Sequence, residues 1–155
     1  MGQTTQNSRI INASAEEIYK AFLDPAALEI WQAPGNMKAR VHWFDHRIGG
    51  GYEMSLFYPE NETKMMGKTN DKEDKFKARF VDLIPNKKII EAVTFDTSDP
   101  EFAGEMIMEV TLTPVHNGTE VNYLFKNIPK GIKPHDNEAG TKSSLEKLAD
   151  YVEKR

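Results

Sequence analysis

Residues 137–154, NEAGTKSSLEKLADYVEK, form the stretch that decides the fold, because they predict a long amphipathic helix that the rest of the chain must cover. Apolar side chains recur at the spacing i, i+3, i+4 and i+7 and so share one face: Leu145, Leu148, Ala149 and Val152. Asp136 or Asn137 is expected to cap the start of this helix. Charged residues fill the opposite face, so the apolar face needs a partner from elsewhere in the sequence.

Two short helices are predicted near the start of the chain. Ser14 and Glu17 form a capping box, in which each side chain accepts a hydrogen bond from the backbone of the other residue. The first helix must end near Asp24, because the proline that follows disfavours helical geometry in the residue before it. Pro25 then opens a second helix with Asp24 as its cap.

The remainder of the sequence predicts β-strands, because apolar and polar residues alternate with a period of two. The predicted strands cover residues 9–12, 38–44, 52–56, 64–68, 75–84, 88–95, 105–113 and 120–126. Asn117-Gly118 is typical of a tight hairpin and joins the last two strands. The register of residues 76–84 stays open, since either parity contains both apolar and charged side chains.

The composition is that of one domain that folds without covalent or metal cross-links. A chain of 155 residues can bury a sizeable core, and we expect residues 9–155 to form the domain and the polar residues 1–8 to be a disordered tail. The sequence contains no cysteine, which excludes disulfides, zinc–thiolate clusters and a thiol nucleophile.

Charge and hydropathy limit the classes of partner that the protein is expected to bind. A net charge of -4 argues against nucleic acid, whose binding surfaces need clustered Lys and Arg. No apolar run is long enough for stable membrane insertion, and residues 1–8 lack the apolar core of a signal peptide. We therefore expect a cytoplasmic protein that is a monomer or a homodimer.

No metal or other cofactor is expected. His42 and His46 stand four residues apart on a predicted strand, which separates them by about 13 Å at roughly 3.3 Å per residue, too far to share one ion. The sequence has no nucleophile elbow, no His-Glu-x-x-His run and no glycine loop followed by a helix that would hold phosphate.

The order of the predicted elements resembles the helix-grip fold of the START-like (SRPBCC) superfamily, an α+β fold in which a curved antiparallel sheet wraps around a long C-terminal helix. Six segments also resemble the subfamily named for the activator of the heat-shock-protein ATPase: IINASAEEIYKAF at 10–22, LEIWQAP at 28–34, RIGGGY at 47–52, PNKKII at 85–90, GTEV at 118–121 and GTKSSL at 140–145. Together these segments span nearly the whole chain.

The resemblance implies a hollow between sheet and helix, which holds an apolar ligand in many relatives. Relatives commonly carry Trp immediately after the glycine that opens the helix, where this chain has Thr141, and the smaller side chain leaves room at one end of the hollow. The residues expected to line a ligand site are Trp31, Trp43, Met54, Leu56, Phe95, Met106, Met108, Val110, Tyr123, Thr141, Leu145 and Leu148.

Three functions fit this sequence. The first, which we favour, is non-catalytic binding of a small apolar or amphipathic molecule, although a well-filled methionine-rich core explains the inward side chains equally well. The second is a chaperone-associated interaction module with an exposed apolar patch, and it rests on the subfamily name. The third is a cyclase- or hydrolase-type enzyme in which Glu91 and Tyr123 share proton transfer. Glu91, Tyr52 and Tyr123 are also the candidates for orienting a bound ligand, and whether the chain is an enzyme stays open.

Overall fold

The alternating segments pair edge to edge in one curved antiparallel sheet. The computed structural model describes residues 3–59 and 72–153. Within these residues lie seven strands, β1 (Gln3–Ile11), β2 (Lys38–Asp45), β3 (Gly51–Phe57), β4 (Glu73–Ile84), β5 (Lys88–Phe95), β6 (Met106–Val115) and β7 (Gly118–Ile128). The helices in the same part of the chain are α1 (Ala15–Phe22), α2 (Pro25–Trp31) and α3 (Pro134–Glu153), and a 3-10 turn (Pro100–Phe102) joins β5 to β6.

The strands are hydrogen bonded in the order β1-β7-β6-β5-β4-β3-β2, so β1 and β2 form the two edges of the sheet. The buried apolar side chains of sheet and helices belong to one core cluster. This arrangement confirms the predicted α+β helix-grip fold. The predicted strand at residues 64–68 lies outside the described residues.

Local capping signals fix α1 and α2 where the sequence predicts them. The Ser14 side chain accepts from the backbone of Glu17, whose side chain accepts from the backbone of Ser14 in return. The Asp24 carboxylate accepts from the Ala26 backbone at 3.0 Å. Both helices therefore begin at the predicted residues.

The helix α3 begins three residues earlier than predicted, at Pro134 rather than Asn137. Proline suits a first helical position, because its ring presets the helical φ and the backbone N–H that it lacks would have no partner inside the helix. The helix lies beside β1: the Thr5 hydroxyl bonds Asn137 Oδ1 at 2.5 Å near its start, and Glu153 accepts from the Asn12 backbone at 2.9 Å near its end. All four side chains of its predicted apolar face are buried.

The first strand is longer than predicted. β1 begins at Gln3 and pairs with β7 from Gln3 opposite Ile128 to Ile11 opposite Thr119. The prediction of a disordered tail is therefore wrong for residues 3–8. Polar residues are accepted here because β1 is an edge strand, most of whose side chains face solvent, while its backbone gains hydrogen bonds from β7.

A β-bulge in β2 corrects the prediction that Trp43 faces the core. The pairing with β3 shifts between Val41 and Trp43, so His42 is the extra residue and the inward parity passes to Phe44. Trp43 is 46% exposed, whereas the Phe44 ring stacks on Tyr52 with 5.5 Å between centroids. Because of this one inserted residue, Phe44 faces the core in place of Trp43.

A second bulge explains why the parity of residues 76–84 was ambiguous. The pairing of β4 with β5 shifts between Phe80 and Asp82. Up to this point Phe76, Ala78 and Phe80 face the core, and beyond it Leu83 packs against the core instead. The segment therefore contains two registers, each with its own parity.

Replacing Leu148 with Ala should destabilise the protein by about 2 to 5 kcal/mol, because Leu148 is fully buried on the face of α3 that covers the sheet. Urea unfolding followed by circular dichroism measures the change. Glu146→Ala, at an exposed position of the same helix, is the matched control and should change the stability by less than about 0.5 kcal/mol. Equal effects of the two substitutions would contradict the packing of α3 on the sheet.

The bulge in β2 predicts unequal effects for two neighbouring aromatic residues. Phe44→Ala removes a ring that stacks on Tyr52 and meets Phe80 edge to face at 5.8 Å, so it should cost about 2 to 3 kcal/mol. Trp43→Ala removes a larger but half-exposed ring and should cost less than about 1 kcal/mol. If urea unfolding showed that Trp43→Ala is more destabilising than Phe44→Ala, the bulge would be contradicted and the regular register, with Trp43 facing the core, would be favoured.

Candidate functional site

The concave face of the sheet is covered unevenly along its strands. At one end Phe80, Ile89 and Val110 are fully buried at 0% exposure. At the other end Leu56 and Phe95 are half-buried, and Phe102 meets Phe95 edge to face at 6.4 Å. The face therefore has a closed end and a less covered, aromatic end.

The structure brings most of the predicted lining residues together between sheet and helices. The buried ones are Trp31, Met54, Met106, Met108, Val110, Tyr123, Thr141, Leu145 and Leu148. Leu56 and Phe95 pack against this core at its less covered end, and Trp43 is turned away by the bulge. What these residues bind is not decided by their burial, so their role in a ligand site stays a prediction.

Glu91 is the chemically distinctive residue of this face. It lies on β5 between the inward side chains of Ile89 and Val93, and it is 2% exposed. The Tyr52 hydroxyl donates a hydrogen bond of 2.7 Å to Glu91 Oε1. Burial raises the pKa of the Glu91 carboxyl from 4.5 to about 7, and the hydrogen bond from Tyr52 opposes part of that rise.

Tyr52 holds this carboxyl from β3. Its ring is 1% exposed and is fixed by three aromatic neighbours, Phe44, Phe76 and Phe80, at centroid distances of 5.5 to 6.2 Å. Burial and the nearby Glu91 carboxyl raise the pKa of the Tyr52 hydroxyl well above its usual value. The hydroxyl therefore stays protonated and serves Glu91 as a hydrogen-bond donor.

Tyr123 approaches from the other side. Its ring on β7 is 5% exposed and packs between Phe22 at 5.9 Å and Phe125 at 6.0 Å. Burial, followed by the effect of Glu91, raises the pKa of the Tyr123 hydroxyl as well. Among residues 3–59 and 72–153 this hydroxyl has no hydrogen-bond partner. The residue as a whole is buried, and its hydroxyl lies close enough to Glu91 for the charge of that carboxyl to affect it.

Gln32 completes the cluster from the end of α2, and the sequence analysis did not single it out. Its Nε2 lies 3.5 Å from the Tyr52 hydroxyl, and its Oε1 is buried without a hydrogen-bond partner among the described residues. The backbone around it is held firmly, since the Ser144 hydroxyl of α3 donates to the Gln32 carbonyl at 2.7 Å. We call Gln32, Tyr52, Glu91 and Tyr123 the polar cluster.

The sheet order explains how the polar cluster assembles. Glu91 stands on the central strand β5, and the two tyrosines stand on β3 and β7, each two strands away. Two strand spacings are about 10 Å, which two inward tyrosine side chains bridge by leaning toward the centre. A carboxyl, two hydroxyls and an amide thus lie within an otherwise apolar face.

Surface depressions lie elsewhere. One of about 510 Å³ is bordered by α1 and by Pro85 and Asn86 of the β4–β5 turn, and one of about 330 Å³ lies beside Gln3 and Pro129. Neither lies between α3 and the concave face. These two depressions therefore do not reach the polar cluster.

The histidines considered as metal ligands take part in other contacts or lie apart. His42 Nε2 lies 2.8 Å from the Ser55 hydroxyl on the outer side of the sheet. In the part of the chain that the structure describes, no group of three or more His, Asp or Glu side chains is arranged to hold a metal ion.

The curved sheet that grips a C-terminal helix, with two short helices after the first strand, defines a member of the START-like (SRPBCC) superfamily. The sequence profile of the family described as Activator of Hsp90 ATPase homolog 1-like protein matches residues 12–153, and the chain belongs to this family. The subfamily resemblance seen in the sequence is thereby confirmed. No curated protein is similar enough to the chain to be matched.

Solved structures of bacterial proteins are similar over nearly their full lengths. A protein from Chromobacterium violaceum is 31% identical with a TM-score of 0.86, and the match covers 97% of this chain and 96% of that one. A protein from Rhizobium loti is 25% identical with a TM-score of 0.74, again covering 97% and 96%. An AHSA1-like protein from Aeromonas hydrophila shares the fold at 16% identity, with a TM-score of 0.72 and coverage of 98% and 93%.

No helix among the described residues is long and apolar enough to cross a membrane.

The buried carboxyl predicts a pH-dependent stability. Because the pKa of Glu91 rises from 4.5 to about 7 on folding, the folded chain binds more protons than the unfolded chain between these pH values. The free energy of unfolding should therefore fall as the pH rises, by about 2 to 3 kcal/mol between about pH 5 and pH 8. This decrease in the free energy of unfolding should be complete at pH values above the pKa of Glu91 in the folded chain.

Urea unfolding of the parent and of Glu91→Gln at the two pH values isolates this contribution, because the amide keeps the shape and cannot ionise. Glu146→Gln, on the exposed side of α3, is the matched control and should retain the full pH dependence. A parent and a Glu91→Gln variant with the same pH dependence would mean that the carboxyl titrates alike in the folded and unfolded chains.

Proposed function

We propose that the protein binds a small amphipathic molecule between the concave face of the sheet and α3, with the polar end of the molecule at the polar cluster. The observation that carries this proposal is Glu91, a buried carboxyl that receives a single hydrogen bond, from Tyr52, among the described residues. Binding of this kind requires no catalytic step. We further propose that the protein acts in the cytoplasm, where a chain without cysteine needs no oxidising environment.

A purely structural role for Glu91 is costly. Burying a polar group without satisfying its hydrogen bonds typically costs about 1 to 3 kcal/mol, and an apolar residue on β5 would fill the same space without that cost. Buried acids with strongly raised pKa values concentrate at functional sites, where the energy lost in folding is recovered in binding or chemistry. Gln32 Oε1 and the Tyr123 hydroxyl also have no hydrogen-bond partner among the described residues, so they too lose hydrogen bonds when the chain folds.

The apolar part of the molecule would lie toward the less covered end of the concave face. Met106 is buried near that end at 6% exposure, and Met108, at 5% exposure, lies opposite Glu91 in the pairing of β6 with β5. Methionine is unbranched and adapts its shape to irregular neighbours, so these side chains move aside at lower cost than rings or β-branched residues. Half-buried Leu56, Phe95 and Phe102 mark the side from which a guest would enter.

A chaperone-associated module is the alternative that the family name suggests, and it predicts a continuous exposed apolar patch. The large exposed apolar side chains of the described residues are instead spread over four strands, α2 and the turn between β2 and β3: Ile10, Ile30, Trp43, Ile48, Val81, Ile84 and Val115. This spread favours an interior site over a docking surface.

Binding is tested with an uncharged naphthalene probe whose fluorescence rises in apolar surroundings, together with native mass spectrometry of freshly purified protein. The parent should bind the probe in its folded state, and the bound mass should disappear on unfolding. Met108→Trp should abolish probe binding, because the larger ring occupies the space on the concave face that the guest requires.

Ile107→Trp is the matched control, since Ile107 precedes Met108 on β6 and points to the opposite side of the sheet. It should leave probe binding intact. A parent without probe binding, combined with a Met108→Trp variant that is destabilised by about 1 to 3 kcal/mol through overpacking, would show a filled core and reject the proposed function.

A further inference from the structure

The segment that connects α2 to β2 is held in place by side chains of α3. Residues 32–37, which we call the strap, lie between the end of α2 and the start of β2 and belong to neither element. Gly35 adopts a φ of 57°, and no atom lies within 4 Å of the position that its Cβ would occupy. The backbone of the strap therefore borders open space at this residue and has room to move outward.

Polar groups of α3 hold the strap backbone from the other side. The ammonium group of Lys147 donates to the backbone carbonyls of Ala33 and Gly35 at 2.5 and 2.7 Å. The Ser143 hydroxyl accepts from the backbone N–H of Gly35 at 2.8 Å. Hydrogen bonds of this kind are exchanged for bonds to water when a segment opens, so each of them stabilises the closed strap only modestly.

Gln32, the first residue of the strap, is held by α3 through its backbone but carries a side chain that opposes closure. The Ser144 hydroxyl donates to its carbonyl at 2.7 Å. The Tyr52 hydroxyl gives its proton to Glu91, so it can only accept from Gln32, whose Nε2 lies 3.5 Å away. This orientation leaves Gln32 Oε1 buried without a hydrogen-bond partner among the described residues. A buried acceptor of this kind is destabilising and would regain hydrogen bonds from water if the strap opened.

From these two opposed effects we infer that the strap exchanges between the closed arrangement of the structure and an open one, and that a guest which donates a hydrogen bond to Gln32 Oε1 shifts it toward the closed one. This inference rests on the proposed function and adds a conformational control to the same site. A guest can shift such an equilibrium only through contacts that differ between the two states. The Gln32 acceptor is such a contact, because it lies at the polar cluster only while the strap is closed.

Closure of the strap and binding of the guest then stabilise each other. Once a guest donor pairs with Gln32 Oε1, the closed strap no longer contains an unmatched acceptor, and the bonds from Ser143, Ser144 and Lys147 act without that opposing cost. By linkage, a substitution that opens the strap weakens guest binding even where it contacts no guest. The requirement is a hydrogen-bond donor, which neutral and cationic polar groups both supply.

Hydrogen exchange of backbone amides, measured by NMR on the full chain without a guest, tests the two states. The Gly35 amide, which is bonded to Ser143, reports opening of the strap, and the Val110 amide in the interior strand β6 reports unfolding of the whole domain. Gly35 should be protected at least about tenfold less than Val110. Equal protection would show that the strap opens only when the whole domain unfolds and would overturn the inference.

The variant Lys147→Met removes the ammonium group and keeps the apolar part of the side chain, so it should speed exchange of the Gly35 amide by at least about fivefold. Lys142→Met, at an exposed position of the same helix, is the matched control and should leave this exchange unchanged. An unaltered exchange rate in Lys147→Met would contradict the role of α3 in holding the strap.

Gln32→Met distinguishes the inferred role from a merely structural one. If the Gln32 side chain held the strap closed, losing its amide would speed exchange of Gly35. Because the substitution removes a buried unmatched acceptor, it should instead slow this exchange by at least about threefold. Faster exchange would overturn the inference. Circular dichroism verifies that each variant is folded.

The effect of a guest is measured with naphthol and its methyl ether, two uncharged naphthalene molecules of which only naphthol has a donor. At saturation, naphthol should slow exchange of the Gly35 amide of the parent by about fivefold more than the ether does, and the two should act alike on Gln32→Met. Two guests that both bind the parent and slow exchange equally would overturn the inference while the proposed function stands. A chain that binds neither guest would reject the proposed function and, with it, the control of the strap by a guest, whereas the motion of the strap is decided by the measurements without a guest.

Discussion

An open, curved sheet with one apolar face must be covered, and the remaining structure follows from how α3 achieves this. Leu145, Leu148 and Val152 close the core, and hydrogen bonds to the chain around β1 hold the helix near both of its ends. Contacts with the segment after α2 fix the two helices relative to each other: Lys147 binds two backbone carbonyls there, and Ser144 binds the carbonyl of Gln32. The helix that stabilises the core therefore also places Gln32 beside Tyr52 in the polar cluster.

The elements that the sequence predicts correctly are those set by local interactions. Capping side chains, Pro25 and the Asn117-Gly118 hairpin act within a few residues, so their patterns are legible without tertiary structure. The bulges in β2 and β4 depend on the pairing of one strand with its neighbour, and no local pattern marks His42 or Val81 as the extra residue. The prediction that Trp43 faces the core was wrong for this reason.

The residues of the candidate site divide in the same way, into those that the sequence indicates and those that only the tertiary structure brings into place. Glu91 could be found from the sequence because it is an acid that shares its parity with Ile89, Val93 and Phe95, and an acid in that position needs an explanation. Its two tyrosine neighbours were candidates, but their positions on either side of Glu91 follow from the strand order. Gln32 carried no signal, since it meets Tyr52 through the packing of α2 against the sheet.

The bulge in β2 also affects the tendency of the protein to aggregate through the edge of its sheet. β2 is an edge strand, and a regular edge offers its free backbone groups to any other extended chain. An extra residue bends the strand, increases its twist and interrupts the even spacing of those groups. Lys38 and Arg40 on the same strand add like charges that repel a second copy. The irregularity that turns Trp43 outward thus protects the open edge of the sheet against growth into an aggregate.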